Sequence, residues 1–271
     1  MKDNTLEDIK LIASDMDHTL LTEESKLPPD FSNYIERLDQ KGIRFAIASG
    51  RPMYTLKAMF PKMQDKLIFM SDNGGAISYQ NKMVYKNLMK VEDYQEMIRF
   101  VEEHTEGAAV LCAMERAYVL KKYQRYEDFF RTFLSELAFV DDMRSLDVEA
   151  NKFTIFFPKG DSITQYEQVF KPRYGENFSV TVGGEVWIDI MNPGVNKGMA
   201  MKQIGKSFQI DTSQMMAFGD TYNDIEMLQA VDYSYVMENA QQEMRQYANY
   251  VAPSNEEYGV LQVIDQVVLQ V

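Results

Sequence analysis

One cysteine, Cys112, and two histidines, His18 and His104, occur in 271 residues. A single thiol excludes an internal disulfide, and a catalytic thiol would need a base that so few imidazoles hardly offer. Cys112 lies in the apolar stretch Ala109-Val110-Leu111-Cys112-Ala113-Met114 and reads as a small core residue. Positive charge is scarce too: 28 Lys and Arg face 41 Asp and Glu, a formal net charge of −13. Nucleic acid is therefore not an expected partner, because phosphate backbones require basic patches. A small phosphorylated substrate stays open, since a local cation overrides the global field. No apolar run approaches the roughly 18 residues of a membrane span, so no membrane partner is expected. The first eight residues are polar and acidic rather than a signal peptide, and a cytoplasmic location is the expectation. No Gly-x-x-x-x-Gly-Lys-Ser/Thr loop occurs, which excludes a P-loop nucleotide site. Internal repeats and low-complexity tracts are absent as well. Nothing in the chain fixes an oligomeric state, and a monomer or weak homodimer is the expectation.

What is present suits a soluble globular protein with a sizeable core and two domains: 45% hydrophobic and 25% charged residues. Apolar runs over 10–15, 43–49 and 67–71 alternate with helical periodicity, as in Phe31, Ile35 and Leu38. That alternation predicts a parallel sheet with right-handed crossovers. The middle changes character. Strand pairs are expected over 76–79 and 83–85, 109–114 and 117–121, and 178–182 and 186–190, with a strand over 151–157. Helices are expected over 92–104, 126–137 and 162–170, which together describe an α+β unit. The last third returns to helix and strand, with helices over 197–208, 222–231, 241–247 and 258–269, and strands over 215–218 and 234–237. The expected fold class is thus α/β, a doubly wound parallel-sheet core split by an inserted α+β domain, with the core at 1–81 and 189–271 and the insertion at 82–188.

Four strand ends carry the chemistry. The first buried run closes on Asp15-Met16-Asp17-His18-Thr19, the second on Ser49-Gly50-Arg51, the third on Asp72-Asn73-Gly74, and a late one on Gly219-Asp220. Unpaired buried carboxylates cost several kcal/mol each, so a cation is required beside them. In a parallel sheet these ends share one edge, and Asp15, Asp17, Asp220 and Asp224 converge with Lys197 and Arg51. Oxygen-only ligands without His or Cys select Mg²⁺. Acids, a metal, a lysine and Ser49 together suit a phosphoryl group. Asp72-Asn73-Gly74 reads equally as a plain turn or a substrate contact. His104 reads as a helix-end surface residue, Trp187 as packing at the junction of the two domains, and Phe129, Phe130 and Phe133 as core of the insertion.

The chain resembles the haloacid dehalogenase superfamily, specifically the Cof-type sugar-phosphatase subfamily with a type IIB cap. Asp15-Met16-Asp17-His18-Thr19, Ile47-Ala48-Ser49-Gly50-Arg51, Asn196-Lys197-Gly198 and Gly219-Asp220-Thr221-Tyr222-Asn223-Asp224 match its four motifs in order. The resemblance implies a Mg²⁺-dependent phosphatase of small phosphate esters, such as sugar phosphates, acting through an aspartyl-phosphate. Asp15 would be the nucleophile and Asp17 the general acid and base. Ser49, Gly50, Arg51, Lys197 and Asn223 would hold phosphate or substrate. Mg²⁺ would be held by the Asp15 side chain, the Asp17 main-chain carbonyl and Asp220, with Asp224 assisting. A phosphotransferase or mutase using the same intermediate, or a non-catalytic phosphometabolite sensor, are the alternatives. The chain departs from the family at His18, where Gly is usual. This side chain is expected to face the cap and contact substrate.

Overall fold

The computed structural model describes residues 8–269, so the polar start of the chain lies outside it. Contacts divide the chain into two compact units. One comprises the chain up to Ser49, Pro61–Val84 and the chain from Asn196 on; the other comprises Gly50–Phe60 and Tyr85–Val195. The sequence placed the divisions at 81/82 and 188/189. The contacts divide the chain at 84/85 and 195/196, the latter because a strand over Trp187–Met191 pairs entirely within the second unit. The short segment Gly50–Phe60 also groups with that unit.

Strands are numbered β1 to β14 in chain order. The first unit is built on an eight-stranded sheet of order β14-β13-β12-β1-β2-β3-β4-β5. Its members are β1 (Leu11–Asp15), β2 (Arg44–Ala48), β3 (Leu67–Ser71), β4 (Ala76–Tyr79), β5 (Lys82–Lys86), β12 (Met215–Gly219), β13 (Tyr233–Met237) and β14 (Tyr250–Ala252). All five residues of β1 are buried, as a central strand covered on both faces demands. It pairs in parallel with β2 on one side and β12 on the other. Chain order runs outward from it in both directions, which makes β1 the switch point of the sheet, where open α/β folds leave a crevice at the carboxyl ends. Gln80 and Asn81 take left-handed φ of 49° and 59° between β4 and β5, the geometry of a tight hairpin.

The second unit holds a six-stranded sheet, β10-β11-β9-β6-β7-β8: β6 (Ala108–Ala113), β7 (Ala117–Leu120), β8 (Leu137–Val140), β9 (Ala150–Phe156), β10 (Ser179–Val182) and β11 (Trp187–Met191). Alternation along β9 sends Phe153 and Ile155 to one face, where they pack with Tyr94, Met97, Ile98 and Val101 of α3 (Val91–His104). The opposite face carries Val110, Cys112, Phe156 and Trp187 against Phe130 and Leu134. Cys112 is therefore the small core residue its sequence neighbours indicate. Trp187 belongs to this cluster of the second unit and stacks on Phe129 at 5.8 Å.

Several elements differ from the sequence pattern. The helix expected over 126–137 is only Glu127–Arg131 (α4). The Thr132 hydroxyl turns back to the Phe129 carbonyl at 2.7 Å, and Leu137–Val140 leaves as β8 beside β7. The helix expected to stop at 170 continues through a widened turn to Tyr174. Pro172 stands in the first turn of the final segment, where a missing N–H costs little. The expected helix over 222–231 is a short turn, Tyr222–Asp224, followed by Ile225–Gln229 (α8). His104 closes α3 at the surface, stacked on Phe100 at 4.9 Å.

Phe153 is fully buried, so Phe153→Ala is expected to lose about 3–5 kcal/mol of stability. Urea unfolding checks this, and a loss under about 1 kcal/mol would show that the sheet does not rest on that face.

Candidate active site

The site grows from the end of β1. Asp15 is its last residue and is 6% exposed. The chain then loops: Asp17 is extended at φ −74°, His18 is left-handed at φ 59°, and the Leu21 N–H closes on the Met16 carbonyl at 2.8 Å. This loop brings Thr19 across to Asp220, whose Oδ1 accepts the Thr19 hydroxyl at 2.8 Å.

Asp220 follows β12, and Gly219 before it permits a close approach. A Cβ at Gly219 would lie 2.5 Å from that of Asp224. Asp224 is wholly buried, and its Oδ2 accepts the N–H groups of Asp220 and Thr221 at 3.0 and 3.1 Å. Its Oδ1 accepts Lys197 Nζ at 2.6 Å. Lys197 begins α7 (Lys197–Phe208), whose first turn is capped by the Asn196 side chain accepting the Met199 N–H at 2.7 Å. The Lys197 side chain is also wholly buried, and its ammonium donates to Asp15 as well.

Three carboxylates thus meet one ammonium. Asp15, Asp220 and Asp224 each bring an oxygen within 4.8 Å of the others. The protein alone does not balance this charge. Burial drives the Asp15 carboxyl well above its usual range, with Asp224 and Asp220 adding to the rise and Lys197 opposing it. Burial, then the charge of Asp224, pushes Asp220 to about 6. Burial works against the Lys197 charge, yet Asp15 and Asp224 hold it above the ordinary lysine range. Three clustered carboxylates beside one ammonium form an all-oxygen donor set that fits a hard divalent ion. Asp17 is not part of the carboxylate trio.

The remaining expected residues divide. Ser49 follows β2, is 2% exposed, and donates its N–H to the Met70 carbonyl at 2.9 Å. Its own carbonyl accepts the Asn73 N–H at 3.0 Å, and Asn73 Oδ1 accepts Asn223 Nδ2 at 3.0 Å. Gly50 and Arg51 belong to the second unit instead. There the Gly50 carbonyl accepts Lys152 Nζ at 2.6 Å. Arg51 donates to the Thr132 carbonyl at 2.8 Å and lies 5.4 Å from the Phe133 ring centre. Their grouping with the phosphate ligands rests on the second motif, Ile47-Ala48-Ser49-Gly50-Arg51, and its place in the order of four. Thr19 is the contributor the sequence left without a role, and Asn73 lies in the stretch read equally as a plain turn or a substrate contact. Thr19 stood in a quoted motif, but its partner lies 201 residues away. His18 sits half exposed, its ring 3.1 Å from Glu23 and its carbonyl accepting Asn239 Nδ2 at 2.8 Å. Burial opposes the His18 charge, and the hydrogen bond and charge of Glu23 together with the charges of Asp220 and Asp17 outweigh it, leaving the imidazole above its usual range.

The chain is similar to known proteins over nearly its whole length. A family model described as haloacid dehalogenase-like hydrolase matches residues 12–264. The 5-amino-6-(5-phospho-D-ribitylamino)uracil phosphatase YbjI of Escherichia coli (strain K12) is 32% identical over 269 residues, covering 96% of each chain. The crystal structure of SMU.1108c from Streptococcus mutans UA159 superposes with a TM-score of 0.87 at 31% identity, covering 96% of this chain and 99% of that one. The subclass IIB sugar phosphatase BT4131 shares the fold, with a TM-score of 0.77 at 20% identity over 95% of this chain and 98% of its own.

The raised Asp220 carboxyl makes metal-free stability depend on pH. An ordinary value of 3.8 raised to about 6 means a contribution fully present below 3.8 and lost as pH rises through 6. Asp15 acts in the same direction. In EDTA the melting temperature is therefore expected to fall between pH 5 and 7, and saturating Mg²⁺ should flatten that slope. A metal-free melting temperature that climbs over this interval would contradict the assigned charge deficit. His18→Gly relieves a left-handed residue and removes only an exposed ion pair. Its stability is expected to stay within about 1 kcal/mol of the parent by chemical denaturation.

Proposed function

As a member of the haloacid dehalogenase-like hydrolases, the chain is a phosphoric monoester hydrolase, and we propose that it hydrolyses a small phosphorylated polyol or sugar through a phosphorylated Asp15. The observation carrying this reading is Lys197, fully buried between Asp15 and Asp224 at the switch point of the sheet. A permanent ammonium there opposes the protonation of Asp15 that burial favours and offers charge to phosphoryl oxygens.

Asp15 attacks phosphorus in line with the ester oxygen. The P–O bond to the leaving group breaks, and Asp17 gives its proton to the departing alcohol. Asp17 then takes a proton from water, the water oxygen attacks phosphorus, and the bond to Asp15 breaks, releasing inorganic phosphate. Ser49, Lys197 and Asn223 hold the phosphoryl group. Thr19 holds Asp220, and Asp224 holds Lys197 together with the main chain of Asp220 and Thr221. The donor set suits Mg²⁺, which Asp15, Asp220 and the Asp17 carbonyl would hold with Asp224 assisting, and which would neutralise the acids and the phosphoryl oxygens.

The Escherichia coli relative acts on 5-amino-6-(5-phospho-D-ribitylamino)uracil by its name, which makes phosphorylated ribityl compounds the first esters to assay. Phosphate release from a metabolite panel with Mg²⁺ is the test. Asp15→Asn is expected to lose at least about 10⁴-fold in kcat, because it removes the nucleophile. Asp17→Asn should lose about 10²- to 10⁴-fold on alkyl esters and much less on an aryl phosphate, whose leaving group needs no proton. An Asp15→Asn variant as active as the parent would overturn the covalent route. Phosphate release only when an acceptor alcohol is supplied would indicate a transferase, and no turnover on any ester would indicate a sensor.

A further inference from the structure

Between β3 and β4 the backbone takes a course that a plain hairpin turn does not need. Asp72, Asn73 and Gly74 are all left-handed, with φ of 51°, 53° and 97°. A tight hairpin requires two such residues and places them at the surface. Here there are three in succession, and Asp72 and Asn73 are 2% and 6% exposed. Left-handed backbone in residues other than glycine is costly and persists where surrounding contacts over-determine it.

Those contacts lead to three separate chain segments. The Asn73 N–H donates to the Ser49 carbonyl at 3.0 Å. Asn73 Oδ1 accepts Asn223 Nδ2 at 3.0 Å. Gly74 lies against the start of α7: a Cβ there would stand 2.5 Å from the Asn196 carbonyl oxygen and 2.9 Å from the Ala200 Cβ. Ser49, Asn223 and Lys197, one residue beyond Asn196, are the groups assigned above to hold phosphate. One buried turn therefore touches all three of their segments.

The Asn223 side chain adds a second observation. Its Oδ1 is buried and has no hydrogen-bond partner among the described residues. An amide kept only for structure is ordinarily satisfied at both ends. This one is held at its nitrogen by Asn73 while its oxygen remains without a partner; that oxygen can accept from a donor such as a substrate hydroxyl, and only the second Nδ2 hydrogen can serve a phosphoryl oxygen.

We propose that Asn73 is a positioning residue for the phosphoryl pocket, its main chain setting Ser49 and its carboxamide setting the Asn223 side chain. The proposal rests on the phosphatase reading given above. Asn73 touches no reacting atom; it acts through the two groups it orients. Its loss weakens the hold on phosphate and leaves the Asp15–Lys197–Asp224 arrangement intact.

Asn73→Gly isolates the carboxamide, because glycine adopts the same left-handed backbone and keeps the N–H that meets Ser49. The melting temperature should stay at or above that of the parent. The Ki of inorganic phosphate and the KM for an ester should each rise about tenfold, as one lost hydrogen bond predicts, while kcat changes less than about threefold. Asn223→Ala should give the same split, and the double variant should be no worse than Asn223→Ala alone, because the two residues act as one unit. Should Asn73→Gly fail to fold, Asn223→Ala carries the test in the same assay. Unchanged Ki and KM, a loss confined to kcat, or fully additive effects would each overturn the proposal. Phosphate binding by titration calorimetry with Mg²⁺ separates the two levels. A parent protein that binds phosphate no better than the variant sinks only the role of Asn73. A parent that neither binds phosphate nor releases it from any ester sinks the phosphatase reading as well.

Discussion

A fully buried ammonium between two carboxylates is the feature to which the rest of the first unit answers. Taking Lys197 out of water costs several kcal/mol, and only close, well-oriented acids repay it. Asp15 and Asp224 do so, but they bring Asp220 with them, and three acids against one base leave a charge deficit that burial sharpens. Such a cluster is poor engineering for stability alone, since apolar side chains of the same volume would serve a core better. It makes sense as a place prepared for cation and anion together. The raised Asp15 and Asp220 carboxyls express the same deficit from the other side.

The sheet explains how residues almost two hundred positions apart meet. β1 receives β2 on one side and β12 on the other, all parallel, so that their carboxyl ends open on one edge. Asp15 and Asp220 leave adjacent strands at that edge, and the crossovers return there with α7 and its Lys197. Asp224 completes the arrangement through local chemistry. Both its oxygens are used within the protein, one on Lys197 and one on two main-chain N–H groups. Its place is to hold the lysine and the loop, and the missing side chain of Gly219 is what lets it approach.

The strand-end acids were legible in the sequence because each closes a strongly patterned element, whereas Lys197, alone only a helix-start lysine, was legible through the order of the four motifs. An apolar run ending in Asp-x-Asp has few structural explanations, and α7 begins where its pattern says. Other features were hidden for identifiable reasons. Thr19 has meaning only through Asp220, a pairing no local pattern records. Gly50 and Arg51 sit beside Ser49 in sequence, yet the chain passes into the second unit between 49 and 50, a division that no local pattern marks. β8 and β14 are four and three residues long, the latter with two of three residues exposed, and neither offers enough periodicity to read. The overlong helix at 126–137 came from counting aromatics at helical spacing, when Phe129, Phe130 and Phe133 instead cluster around a turn.

Backbone conformation supplies the last step. Among the described residues, several non-glycine positions are left-handed, and most have ordinary local causes: Gln80 and Asn81 make a hairpin, while Asp30 and Gln209 flank helix ends. His18, Asp72 and Asn73 are different. They stand just past β1 and β3, and the loops that hold them carry Thr19 to Asp220 and Asn73 to Ser49 and Asn223. A chain whose local preferences otherwise agree with its fold departs from them at these loops. The departures follow the hydrogen bonds that assemble the candidate site, so the strain there is a consequence of bringing these groups together and not a defect of the turns themselves.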